Sequence, residues 1–132
     1  VQKFSSEVQA VVDMDGLLDF TDNESLAVKR IENSADVFWL EGSYEAIPER
    51  WKEASAITWV SPNDPPFLFI NSSQTRFHAG CATMVEKLKK NNIYNEVQTL
   101  KGAPHSYWFF DPWFEPTIQH ITTFLNKVFK LN

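Results

Sequence analysis

Residues 65–73, PPFLFINSS, leave a folding chain few choices. Four consecutive apolar residues, 67–70, stand between two prolines, which break a hydrogen-bonded ladder, and three turn-forming residues. So short and unbroken a run suits a strand covered on both faces, as in a parallel sheet. Parallel neighbours need long crossovers, usually helical, so helices are expected on either side. A second apolar run, VQAVV at 8–12, is closed by Asp13, Asp15 and Gly16 and reads as another strand. NEVQTL, residues 95–100, reads as a third.

The intervening segments carry helical signals. Asp22 or Asn23 is placed to cap a helix containing Leu26, Ala27 and Ile31. Residues 34–60 suggest two short helices, the second with Pro48 in its first turn and Trp51 and Ala54 facing inward. A helix is expected over about 79–91, with Met84 and Leu88 on its inner face. The last begins near Pro116 and runs to the end, striped by Ile118, Ile121, Phe124, Leu125, Val128 and Phe129. Such alternation predicts an α/β fold of three layers, with a short parallel sheet of about three strands flanked by helices. No linker or repeat divides residues 1–132, and residues 22–56 form a helical, cap-like insertion.

Composition narrows the function classes. The chain of 132 residues is 43% hydrophobic and 22% charged, values of a folded domain. Its formal net charge of −5 argues against nucleic-acid binding, and its only dense basic run, EKLKKNN, reads as a solvated helix face. No apolar run reaches membrane-spanning length, so no membrane partner is expected. Cys81 is the only cysteine, which excludes an intrachain disulfide. His78, His105 and His120 lack metal-ligand spacing, so neither a metal nor another cofactor is expected; His120 reads as a surface residue. The chain begins VQKFSSEVQAVV, without Met or a signal-peptide pattern, and reads as part of something longer; the compartment is left open.

Functional groups of open parallel sheets gather at the carboxyl ends of the strands. His105 lies in such a loop, within KGAPHSYWFF. The stretch from WKEASAITWVSPNDPPFLFINSS through EKLKKNNIYNEVQTLKGAPHSYWFF resembles the C-terminal half of an α/β-hydrolase, nearest the bacterial esterase/lipase group with its acetylxylan-esterase-like and carboxylesterase-like members. The resemblance covers nearly the whole chain. It implies a serine esterase acting on carboxylic esters, including acetyl esters of carbohydrates, with a small-molecule ester as substrate and His105 as general base. Imidazole suits that role because it titrates near neutrality, taking the serine proton and returning it to the leaving alcohol.

Two parts of that machinery are not where the resemblance would put them. No serine stands in a G-x-S-x-G turn, and EGSYE around Ser43 has only the first glycine, so these residues alone are expected to be inactive. In most relatives the acid lies about four residues past the strand 67–70, where this sequence has Gln74. An amide can hold a tautomer but cannot balance an imidazolium by charge. Asp15, in the loop after the preceding strand, is the alternative acid; it also fits a simple turn. Asp13, nearer the strand, reads as structural. Arg76 is a candidate for binding a carboxylate of substrate or protein, and His78 for lining the pocket. Trp108 belongs to an aromatic group with Phe109, Phe110, Trp113 and Phe114 that suits either a substrate platform or packing of the His105 loop, packing being favoured.

A competing reading is a non-catalytic interaction module of hydrolase ancestry, favoured by Gln74 at the usual acid position. Sheet order in the resembled fold also leaves the strand 8–12 exposed on one edge, so a homo-oligomer formed through that edge is expected.

Overall fold

The computed structural model describes residues 4–131. Its three strands, β1 (Val11–Met14), β2 (Phe67–Asn71) and β3 (Asn95–Thr99), form one parallel sheet in the order β1-β2-β3. Register is set by β2, whose Phe69 stands opposite Asp13 on one side and Val97 on the other. Every residue of β2 is buried, as the unbroken apolar run requires.

Alternation along β2 builds the layers. Phe67 and Phe69 pack with Cys81, Met84 and Leu88 of helix α4 (Cys81–Lys90). Leu68 and Ile70 face the other way, onto Leu100, Tyr107 and Phe124 of helix α5 (Phe114–Phe129). A third cluster lies apart from the sheet, in the excursion between β1 and β2. There α2 (Ala35–Leu40) and α3 (Pro48–Ala54) enclose Val37, Leu40 and Trp51, with Phe20, Tyr44 and Ile47 around them. Trp51 is fully buried, and its indole N–H donates to Gly42 O at 3.1 Å. Ahead of them, α1 (Asn23–Leu26) is a single turn capped by Asp22, which accepts from the Glu24 N–H at 2.8 Å.

Several boundaries differ from expectation for identifiable reasons. β1 begins at Val11 and runs through Asp13 to Met14, because the register with Phe67–Ile70 carries it past the apolar run; Val8 is exposed. The cap at Asp22 starts a helix that stops before Ile31. Arg30 instead donates to the carbonyls of Ser25 and Val28, holding that segment in a non-helical path, and Ile31 is exposed. α5 begins at Phe114, so Pro116 sits within the first turn, where an amide hydrogen has no partner in the helix. Of its stripe, Phe124 is fully buried, whereas Ile118 and Phe129 are exposed. His120 is half-buried rather than on the surface.

Phe69, fully buried at the centre of this arrangement, is the residue whose truncation should cost most. Phe69→Ala is expected to destabilise by about 3–5 kcal/mol in urea denaturation, and Val97→Ala on exposed β3 by about 1 kcal/mol or less. Equal losses would mean that β2 is not the packed centre.

Candidate active site

Each strand delivers one piece of the site at its carboxyl end. Immediately after β1 the backbone N–H of Asp15 donates to Ile70 O at 3.1 Å, extending the ladder by one bond. Asp15 then turns into the left-handed region, with φ 53°, which aspartate tolerates better than most residues. The turn aims its carboxylate across the top of β2. Oδ1 accepts the Ser72 N–H at 2.7 Å, and Oδ2 lies 3.1 Å from His105 Nδ1. The carboxylate is wholly buried, while the imidazole is 35% exposed. Gly16 makes the turn possible: a Cβ there would lie 1.8 Å from Asp13 Oδ1.

The loop after β3 is fastened to β2 before it reaches His105. Ser73 N–H donates to Ala103 O at 3.0 Å, and Ser73 Oγ accepts the Gly102 N–H at 2.6 Å. Beyond His105, the Tyr107 hydroxyl donates to Ile70 O at 2.6 Å. Burial, and then the negative charges of Asp15 and Asp13, push the Tyr107 phenol far up, so it stays a donor. The His105 ring stacks face to face on Phe77, with centroids 3.7 Å apart and planes 11° apart. Trp108 meets it edge-on at 5.6 Å. Among the described residues Nε2 makes no hydrogen bond, so the ring offers its second nitrogen to a further partner.

Of the residues singled out in the sequence, the structure brings Asp15, His105, Arg76 and Trp108 together. Arg76 lies over Phe77, its guanidinium carbon 4.2 Å from the ring centroid. Trp108 also packs edge-on against Tyr107, so it touches both His105 and the anchor of its loop. Gln74 is exposed and makes no side-chain hydrogen bond among the described residues. His78 faces a different pocket, with Thr75, Gly80 and Cys81. Phe77, Tyr107 and the Ser72 amide were not anticipated. Phe77 stands inside RFHAG and Tyr107 inside HSYWFF, but neither segment shows from sequence which aromatic meets the histidine.

A pocket of about 170 Å³ opens beside Asp15 and is lined also by Leu17, Ser25, Val28, Arg30, Asp36, Arg76 and Phe77. Val28 and Arg30 also line a larger cavity of about 730 Å³ among the excursion's helices, bounded by Ile31, Val37, Ser43 and Tyr44. The excursion therefore forms a wall of the site, as a cap would.

The BD-FAE family model matches residues 1–79, which include Asp15 and Arg76 and stop short of His105. The chain belongs to the BD-FAE family. Three solved structures share the architecture of this BD-FAE domain. A bifunctional GH43-CE of Bacteroides eggerthii superposes with a TM-score of 0.75 at 24% identity, over 95% of this chain and 17% of its own. A truncated form of a carbohydrate esterase from gut microbiota gives 0.69 at 19%, over 89% and 43%. Esterase B from Lactobacillus Rhamnosis gives 0.58 at 13%, over 92% and 41%. The BD-FAE domain thus spans less than half the length of each of these proteins. No curated protein matches it. Its sheet and layers are those of part of an α/β-hydrolase, and it is an esterase-like hydrolase domain by family.

On the α4 side of the sheet lies a second polar group. Asp13 Oδ2, Asn71 Oδ1 and His78 Nε2 are buried without a hydrogen-bond partner among the described residues. Asn71 donates weakly to the Cys81 sulfur at 3.6 Å. Burial pushes the Asp13 carboxyl up to about 6; the Gly16 amide pulls against this, Asp15 adds to it and His78 opposes it. The folded state therefore holds this proton more tightly than an unfolded chain, where the carboxyl keeps its ordinary value of 3.8. The contribution of Asp13 to stability should be greatest below the ordinary value and be lost as pH rises to about 6, by roughly 3 kcal/mol at most. Asp13→Asn should flatten that segment in urea denaturation at pH 4, 5, 6 and 7. Parallel profiles for variant and wild type would remove Asp13 as the cause.

Proposed function

We propose that Asp15 and His105 are the acid and general base of a serine-type carboxylic-ester hydrolase, with the nucleophilic serine lying outside these 132 residues. The observation that carries this reading is the 3.1 Å contact between a buried, amide-anchored carboxylate and His105 Nδ1. A carboxylate only accepts, so the contact becomes a hydrogen bond with the proton on Nδ1, leaving Nε2 to take the proton of an attacking hydroxyl. As that hydroxyl attacks the ester carbonyl, Nε2 becomes protonated, and Asp15 stabilises the resulting imidazolium. The same proton then passes to the leaving alcohol, and water repeats the cycle on the acyl-enzyme. Carbohydrate acetyl esters are substrates in keeping with the carbohydrate esterase whose architecture the domain shares. The absence of an acid at Gln74 favours a binding module of hydrolase ancestry, whereas the buried carboxylate beside His105 supports the catalytic reading.

Nitrogen-15 NMR of the imidazoles tests the dyad directly. At neutral pH His105 should be the Nδ1–H tautomer in the wild type and lose that preference in Asp15→Ala. An unprotonated Nδ1, or a tautomer indifferent to Asp15, would leave the binding module as the better reading. In a protein joining these residues to the serine, Asp15→Asn should lower kcat by about 10⁴, as in serine proteases, and Gln74→Ala should change it little.

We propose in addition that the domain self-associates. β1 has a strand neighbour on one side only among the described residues, so its outer edge suits pairing with a second copy. Sedimentation velocity should show a concentration-dependent dimer; a monomer at every concentration would rule this out.

A further inference from the structure

We infer that Arg76 binds a free carboxylate, so that the preferred ester carries a second, anionic group. The inference builds on the esterase reading by naming the substrate class. Two arginines line the pocket beside Asp15, and they differ in what they have left to offer. Arg30 is largely engaged: its Nε meets Asp36, and its terminal nitrogens donate to the carbonyls of Ser25 and Val28 and to the Ser25 hydroxyl. Arg76 is exposed and, among the described residues, has neither an ion-pair partner nor a hydrogen bond.

One aromatic contact places it beside the proposed dyad. The guanidinium lies over Phe77 at 4.2 Å, and Phe77 in turn stacks on His105 at 3.7 Å. Guanidinium, phenyl and imidazole thus form one pile beside the proposed acid. A guanidinium that contacts a ring face does not spend its N–H groups there, which leaves them for paired hydrogen bonds, the geometry that matches a carboxylate. The pocket volume of about 170 Å³ suits a carboxylate-bearing fragment, with the 730 Å³ cavity beyond it available to the rest of the molecule. With a formal net charge of −5, the chain does not draw anions by its overall field, so retention would depend on this local cation. Asp15 also lines the pocket and would repel a dianion more strongly, which favours a single carboxylate over phosphate.

A carboxylate beside an ester can come from the alcohol half, as in an acylated acidic sugar, or from the acid half, as in a dicarboxylic hemiester. Titrations followed by proton–nitrogen NMR would separate them, with sodium galacturonate and sodium monomethyl succinate as probes and galactose and dimethyl succinate as neutral controls. At least one acid should shift the Arg76 Nε–H and the His105 ring signals saturably, and which acid does so identifies the half. Arg76→Gln should weaken that binding roughly tenfold or more, and Arg76→Lys should recover only part of it. Neutral controls that bind as well, affinity unchanged in Arg76→Gln, or no saturable shift with either acid would each overturn the inference. The His105 tautomer, read in the same spectra, reports separately on the dyad: acid binding with the wrong tautomer refutes the catalytic reading alone. The right tautomer without acid binding refutes only the assignment of Arg76.

Discussion

The carbonyl of Ile70 is the atom on which fold and site both depend. It receives the Asp15 N–H at 3.1 Å and the Tyr107 hydroxyl at 2.6 Å, so one oxygen on the central strand ties down the loops of both Asp15 and His105. Ile70 itself is fully buried, locked between neighbouring strands and packed against the α5 side. Displacing that strand would move Asp15 and His105 independently, because their loops come from opposite edges of the sheet. A buried parallel strand of rigid apolar residues is therefore more than a core element here. It is the reference frame for a contact that must hold to within a few tenths of an ångström to form a hydrogen bond.

The loop after β2 has a consistent role in this scheme. Ser72 gives its amide to Asp15, and Ser73 holds Gly102 and Ala103 at the base of the His105 loop. Phe77, from the following turn, then supplies the surface on which the imidazole rests. Residues 72, 73 and 77 of this segment thus support groups contributed by its neighbours, and Gln74 is exposed without a side-chain hydrogen bond among the described residues. Adjacent parallel strands lie about 4.8 Å apart, so a carboxylate from β1 can cross β2 and meet a loop from β3.

Much of this was legible in the sequence because it rests on short-range chemistry. PPFLFI marks a doubly covered strand, Pro48 marks a helix start, and the position of His105 after the last strand places it at the functional end of the sheet. What was not legible depends on contacts between distant segments. The ladder register carried β1 through Asp13 against its local apolar pattern. The bonds of Arg30 stopped α1 after one turn. The stacking of Phe77 on His105 joins loops 28 residues apart and leaves no periodic trace, since any aromatic in RFHAG or HSYWFF satisfies the same local pattern.

The two aspartates flanking Met14 show how strongly position along a strand governs chemistry. They are separated by one residue and differ in what surrounds them. Asp13, still within β1, points to the α4 side, where Oδ2 has no partner and burial favours its protonated form. Asp15, one step past the strand, has both oxygens engaged, one by an amide and one by His105. A buried carboxyl group needs donors to converge on its oxygens. The left-handed turn at Asp15 and the missing side chain at Gly16 provide that convergence, because they bend the chain back toward β2 while leaving room for Asp13. Gly16→Ala would drive a methyl into the Asp13 carboxylate, so the Asp15 turn and the buried Asp13 carboxyl are coupled through a single glycine.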